Sequence, residues 1–285
     1  MKLDGRREST NVDDRRGRSG GKMAGMGIGG VIIAALLTWV LGGDPMSVLQ
    51  GMDETSLTQQ QKTQDFTPEE QAVAKFSKQV LASTEDVWTK VFQSFGREYR
   101  APKMVLYTGS VDTRCGKGSA SVGPFYCYAD ESLYIDLSFF LQMKKQLGAD
   151  GDFAYAYVIA HEVGHHVQHL LGTLDKAQAQ MSRMDAVSAN KVSVRIELQA
   201  DFYAGVWGFH ENKMFKSLED GDLEEAIGCA QVIGDNYLQE KAHGYSQPES
   251  FTHGTSKQRM HWLKLGLSTG DMSKGDTFSI PESQL

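Results

Sequence analysis

Residues 23–43, MAGMGIGGVIIAALLTWVLGG, form a run of 21 residues without a charge. As a helix that length crosses the hydrocarbon core of a bilayer, so the run predicts a transmembrane anchor. Its glycines, Gly25, Gly27, Gly29 and Gly30, are tolerated in lipid. A cleaved signal peptide is the competing reading. The long polar leader and the lack of a small-residue cleavage site after the run speak against it. A buried core helix would rarely run this long without a polar residue.

The charge distribution adds an orientation. Residues 1–22 carry seven cations (Lys2, Arg6, Arg7, Arg15, Arg16, Arg18, Lys22) against four anions, a net +3, whereas the whole chain is −7. A basic leader on an acidic body predicts a cytoplasmic tail over 1–22 and export of everything past Asp44. The expected topology is therefore a single pass through a membrane, with the N-terminus cytoplasmic and the folded part outside the cytoplasm. An acidic body disfavours nucleic acid as a partner.

Cys115 and Cys127 frame the segment CGKGSASVGPFYC. In an exported domain they can form a disulfide; two unrelated thiols are the alternative. Neither belongs to a C-x-x-C pair, which disfavours a zinc knuckle. Cys229, within AIGCAQVIG, reads as a small buried hydrophobe.

Residues 44–66 are rich in Gln, Thr and Ser and read as a flexible linker. Thr67-Pro68-Glu69-Glu70 is a helix-start signature, and Ser83-Thr84-Glu85-Asp86 reads as the start of a second helix. Lys103–Thr108, Val122–Tyr128 and Leu133–Leu137 read as strands, the last two joined in a hairpin through Asp130-Glu131. From Leu137 to Leu267 the pattern is mostly helical. A folded domain is thus expected over 67–267, with a polar, partly loose tail over 268–285.

The chemistry concentrates in FAYAYVIAHEVGHHVQHLLG. His161 and His165 are four residues apart, about 40° around a helix, so both imidazoles project from one face and can hold one zinc ion. Glu162, beside His161, can reach a water on that metal as a general base without ligating it. Two satisfied core histidines are the bland alternative. A catalytic zinc needs a third protein ligand. A third His ten residues after the first is absent, because that position is Leu171 and the accompanying glycine position is Gln168. Glu197 and Asp201 instead stand at i, i+4 in a largely apolar helix, VSVRIELQADFYAGVWGF. Buried carboxylates on one face repel without a cation. Glu197 is therefore the expected third ligand, and Asp201 the acceptor for a ligating imidazole, His161. A solvated acidic face with Arg195 as ion-pair partner is the alternative.

H-E-V-G-H followed by E-L-Q-A-D resembles the gluzincin metallopeptidases, the thermolysin-like superfamily with two His and one Glu on zinc. More closely, the chain resembles the neutral zinc metallopeptidase family of the bacterial envelope. The likeness runs from GRRESTNVDDRRG through CGKGSASVGPFYCYADESLYIDL and the two zinc motifs to SFTHGTSKQRMHWL. It implies an α+β fold: a mainly helical gluzincin-like domain with a small antiparallel sheet, preceded by one transmembrane helix. It implies a membrane-anchored zinc endopeptidase in which a zinc-activated water attacks a peptide or protein substrate and Glu162 moves the proton. Membrane heat-shock metalloproteases of the superfamily carry a similar T-H-P…R segment. By that likeness His253 donates to the oxyanion and Arg259 supports it, with Gly254 where the proline stands. A helix cap at Thr255 or Ser256, with His253 merely adjacent, is the plainer reading. An edge strand at Ser119–Phe125 would pair with substrate backbone. The rival functions are a catalytically silent zinc-containing envelope scaffold and a metal-dependent amidase acting on a non-protein envelope amide. The intact Glu162 speaks against the scaffold. His166 points away from the proposed metal face; His169, one turn past His165, could approach the site but reads as a helix-end residue; His210, His243 and His261 lack ligand spacing.

Overall fold

A computed structural model describes residues 1–17, 66–120, 123–149 and 151–285. Helix α1 (Pro68–Ser94) starts as its sequence demands: Thr67 accepts from the Glu70 N–H, the Glu70 carboxylate accepts from the Thr67 N–H, and Pro68 opens the first turn. It is one helix of 27 residues, where two were expected. The Ser83–Asp86 stretch does not cap a second helix because tertiary partners claim its side chains. Ser83 donates to Glu211, and Glu85 accepts from Ser9 and Asn11.

The sheet has the order β1 (Val12–Asp14), β2 (Lys103–Tyr107), β6 (Ser132–Asp136), β5 (Phe125–Cys127). The last two strands form the expected hairpin. The expected small antiparallel sheet is nevertheless corrected, since β1, β2 and β6 run parallel to one another. Parallel neighbours are joined by crossovers rather than turns, so no local signal announces them. Burial on both faces follows. Met104, Leu106, Leu133 and Ile135 join the main core, while Val105, Tyr107 and Tyr134 form a second cluster with Val111 and Cys127. A two-stranded ribbon, β3 (Ser110–Thr113) and β4 (Gly116–Ser119), lies beside the sheet sequence. After it come α2 (Ser138–Gln142), a π-helical segment (Met143–Leu147), α3 (Asp152–Leu171), α4 (Thr173–Met181), α5 (Ala186–Phe215), α6 (Asp222–Val232), α7 (Asp235–His243) and α8 (Ser256–Thr269).

Two glycine contacts set the helix spacing. A Cβ on Gly266 of α8 would meet the Phe202 carbonyl oxygen at 2.2 Å, and one on Gly205 of α5 would meet the Leu263 carbonyl oxygen at 2.3 Å. Only hydrogen at these positions lets α5 and α8 cross backbone to backbone.

Both termini differ from expectation. Residues 1–17 are not a separate tail: Met1 and Leu3 are buried in the main core, β1 enters the sheet, and Arg6 pairs with the fully buried Glu211 at 2.9 Å. Residues 271–280 pack along α5, with Thr277 fully buried, so the C-terminal stretch is not loose there.

The expected transmembrane helix is likewise not supported. Among the described residues no helix is long and apolar enough to cross a membrane. The run 23–43 and the linker over 44–66, apart from Phe66, lie outside those residues.

Candidate metal centre

Helix α3 carries H-E-V-G-H through the middle of the protein, with 15 of its 20 residues buried. Its approach to α5 is set by the glycine inside the motif. A Cβ on Gly164 would meet the Ala200 carbonyl oxygen at 2.8 Å and the Ala200 Cα at 3.1 Å. That close approach puts Glu197 and Asp201, on either side of Ala200, within reach of the two histidines.

The structure brings His161, His165 and Glu197 together, with one donor atom from each lying within 4.8 Å of the others. His161 Nε2 is 3.0 Å from Glu197 Oε2, and His165 Nε2 is 3.5 Å from Glu197 Oε1. The opposite ring nitrogens are occupied. His161 Nδ1–H donates to Asp201 Oδ1 at 2.8 Å, and His165 Nδ1–H donates to Gln168 Oε1 at 2.9 Å. Nδ1–H is thereby committed in each ring, which leaves Nε2, facing Glu197, as the nitrogen that would ligate a metal once deprotonated. Two imidazole nitrogens and one carboxylate oxygen are a donor set that fits zinc.

The electrostatics favour a cation. Burial opposes charge on His161, yet Asp201 and Glu197 outweigh it and raise its pKa to about 10. Burial likewise opposes ionisation of Asp201, but Arg259 and His161 hold its pKa down to about 2. Burial raises the pKa of Glu162, with His165 and His161 pulling the other way.

The sites expected around this centre fall into two groups. Arg259 is buried. Its Nε and Nη2 donate to the two Asp201 oxygens at 2.8 and 2.9 Å, and Nη2 is 3.2 Å from the Tyr157 hydroxyl. Tyr157 also donates to Asp201, at 2.6 Å. Arg259 is thus tied to His161 through Asp201. His253 precedes α8, in the loop ended by the Thr255 cap. Asp235 at the start of α7 gathers this loop. One of its oxygens accepts the N–H groups of Thr252, His253 and Gly254 at 2.8, 2.7 and 3.0 Å, and the other lies 3.2 Å from His253 Nδ1.

His161, Glu162, His165, Glu197 and His253 line one cavity of about 820 Å³. Phe125 and Tyr126 of β5 line another wall, and β5 is the end strand of its sheet among the described residues. The expected substrate strand Ser119–Phe125 is corrected: Ser119 ends β4, Phe125 opens β5, and between them residues 121–122 lie outside those described. Cys115 and Cys127 form the expected disulfide, tying the β3–β4 turn to β5. Cys229 is a buried free thiol. His166 faces away from the centre, donating Nε2–H to the Arg100 carbonyl and accepting from the Tyr126 hydroxyl.

Sequence reasoning missed Gln168, Tyr157 and Asp235. Gln168 could have been found, because i+3 on a helix is adjacent to His165. Asp235 had no local signal, since its partners are 17 to 19 residues away.

The family model described as "Putative neutral zinc metallopeptidase" matches residues 1–278. The Escherichia coli K12 protein named "Uncharacterized protein YpfJ" is 48% identical over 287 residues, covering 98% of this chain and 99% of the relative. The Mycobacterium tuberculosis H37Rv protein named "Uncharacterized protein Rv2575" is 40% identical over 210 residues, covering 70% of this chain and 69% of the relative. No solved structure matches the chain. With a family model spanning nearly all of its length, the chain belongs to the putative neutral zinc metallopeptidase family.

Proposed function

We propose that the protein is a zinc-dependent endopeptidase. The observation that carries this is the convergence of His161, His165 and Glu197 in a cavity that Glu162 also lines. These three residues would hold zinc, whose Lewis acidity serves the reacting carbonyl and the attacking solvent. Glu162 takes a proton from the attacking water and delivers it to the departing amide nitrogen, so it ends each cycle ionised. His253, oriented by Asp235, donates to the oxygen that becomes negative as water adds to the carbonyl. Asp201, held by Arg259 and Tyr157, keeps His161 in its Nδ1–H tautomer. The edge of β5 offers backbone groups to an extended peptide. The disulfide, with Cys115 exposed, supports an oxidising compartment such as the periplasm.

Glu162→Gln tests the mechanism. Zinc should stay bound at one ion per chain while casein hydrolysis falls at least about 100-fold. Undiminished hydrolysis by a zinc-loaded Glu162→Gln protein would overturn the reading.

A further inference from the structure

Gln168 accepts from His165, and its own amide nitrogen leads further into the protein. Gln168 is fully buried, and its Nε2 donates to the Ile196 carbonyl at 2.7 Å and to Gln199 Oε1 at 3.1 Å. Gln199 is buried as well, and its Nε2 donates to the Gly275 carbonyl at 2.7 Å. Side chain by side chain, the series runs from His165 on α3, through Gln168 and Gln199, to the backbone of the C-terminal segment.

The direction of this series is not free. A carbonyl oxygen only accepts, so the Gly275 end obliges Gln199 to present Nε2 there and Oε1 to Gln168. Gln168 must then present its own Nε2 to Gln199, and the Ile196 carbonyl demands the same orientation. Only Oε1 of Gln168 is left for His165, and it can be satisfied only by an N–H. The C-terminal segment is itself seated by shape: a Cβ on Gly275 would come within 2.4 Å of the Phe202 ring, so the bare backbone lies against α5.

We propose that Gln168 and Gln199 are positioning residues that fix the Nδ1–H tautomer of His165, with the Gly275 carbonyl of the C-terminal segment setting the polarity of the series. The proposal rests on the reading of His165 as a metal ligand. His161 is held differently, by a carboxylate that is itself charged and clamped by Arg259. The two ligating imidazoles are thus oriented by separate devices, one ionic and one made of neutral amides. The neutral device reaches residues that follow the last helix.

Zinc affinity and the His165 ring nitrogen signals, measured on the full chain, test this. Gln168→Met keeps the length of the side chain and removes both amide ends. It should weaken zinc binding about 10- to 100-fold in competition with a chelator. At a pH where His165 is neutral, the zinc-free variant should show a mixture of tautomers in place of the single Nδ1–H form. Gln199→Met, which does not touch His165, should shift both readouts the same way by a smaller factor. A packing role alone would lower thermal stability without moving the tautomer. Zinc affinity within twofold of wild type in Gln168→Met, with the tautomer unchanged, overturns the proposal and leaves the metallopeptidase reading standing. Wild-type protein that binds no zinc overturns both.

Discussion

Arg259 grips Asp201 with two N–H donors, at 2.8 and 2.9 Å, and Asp201 passes that restraint to His161 at 2.8 Å. Arg259→Met should leave a buried carboxylate without its cation. The expected cost is on the order of 3 kcal/mol in unfolding free energy, with zinc affinity reduced about tenfold or more. Arg259→Lys should restore charge without the two-pronged geometry and fall between. Denaturant unfolding and chelator competition read the two effects. Wild-type zinc affinity in Arg259→Met would show that Asp201 does not need its partner.

Gly164 and Ala200 bring α3 and α5 together. Gly164→Ala would place a methyl group 2.8 Å from a backbone oxygen that cannot rotate away. The helices should separate and carry Glu197 away from the histidines. Zinc binding should weaken about tenfold or more, whereas Gly228→Ala, whose Cβ position meets nothing within 4 Å, should leave it unchanged. Equal zinc affinity in the two variants would refute this account.

Asp235 should matter to turnover rather than to metal. Asp235→Asn keeps an acceptor for the loop amides but removes the charge facing His253. We expect kcat to fall on the order of tenfold with KM and zinc content little changed. A variant that loses zinc instead would place Asp235 in support of the metal ligands.

Arg6 tests the placement of the N-terminal segment. Its partner Glu211 is fully buried and also accepts from Ser83 and Ser217. Arg6→Met should destabilise the protein by on the order of 3 kcal/mol in denaturant unfolding. Lys2→Met, at an exposed ion pair, should change it by about 0.5 kcal/mol or less. An Arg6→Met protein as stable as wild type would mean that residues 1–17 do not pack on the domain in solution.

The disulfide holds a cleft wall. Cys115→Ser with Cys127→Ser opens a loop of sequence separation 12, which should lower stability by about 3 kcal/mol. Since Cys115, Gly116, Lys117 and Gly118 line the cavity, KM for a peptide substrate should rise while zinc content holds. An unchanged KM would separate the ribbon from substrate binding.

Legibility followed the range of each signal. The cap at Thr67, the β5–β6 hairpin and the helical stretch after Leu137 were readable because capping, turns and periodicity act within a few residues. The paired histidines, and Glu197 with Asp201, were readable for the same reason, since i and i+4 share a face of any helix. Two local readings failed against tertiary competition. Ser83–Asp86 has the composition of a cap, yet Glu211, Ser9 and Asn11 recruit it into a helix interior. The basic residues of 1–17 have the composition of a solvated tail, yet Arg6, Arg7 and Arg16 find carboxylates on the folded body or beside them.

From the amino-acid order alone came the chemistry on offer: two imidazoles and a glutamate on one helix, two carboxylates on another, and a pair of cysteines. Which of these groups meet was decided by packing, because contact between helices depends on how closely their backbones approach. Gly164 against Ala200 sets the distance from histidines to glutamate, and Gly205 against Gly266 sets the crossing that brings Arg259 to Asp201. Asp235 beneath His253 and the amide series behind His165 join residues remote in sequence. Such partners are chosen by the folded geometry, to satisfy polar groups that burial has cut off from water.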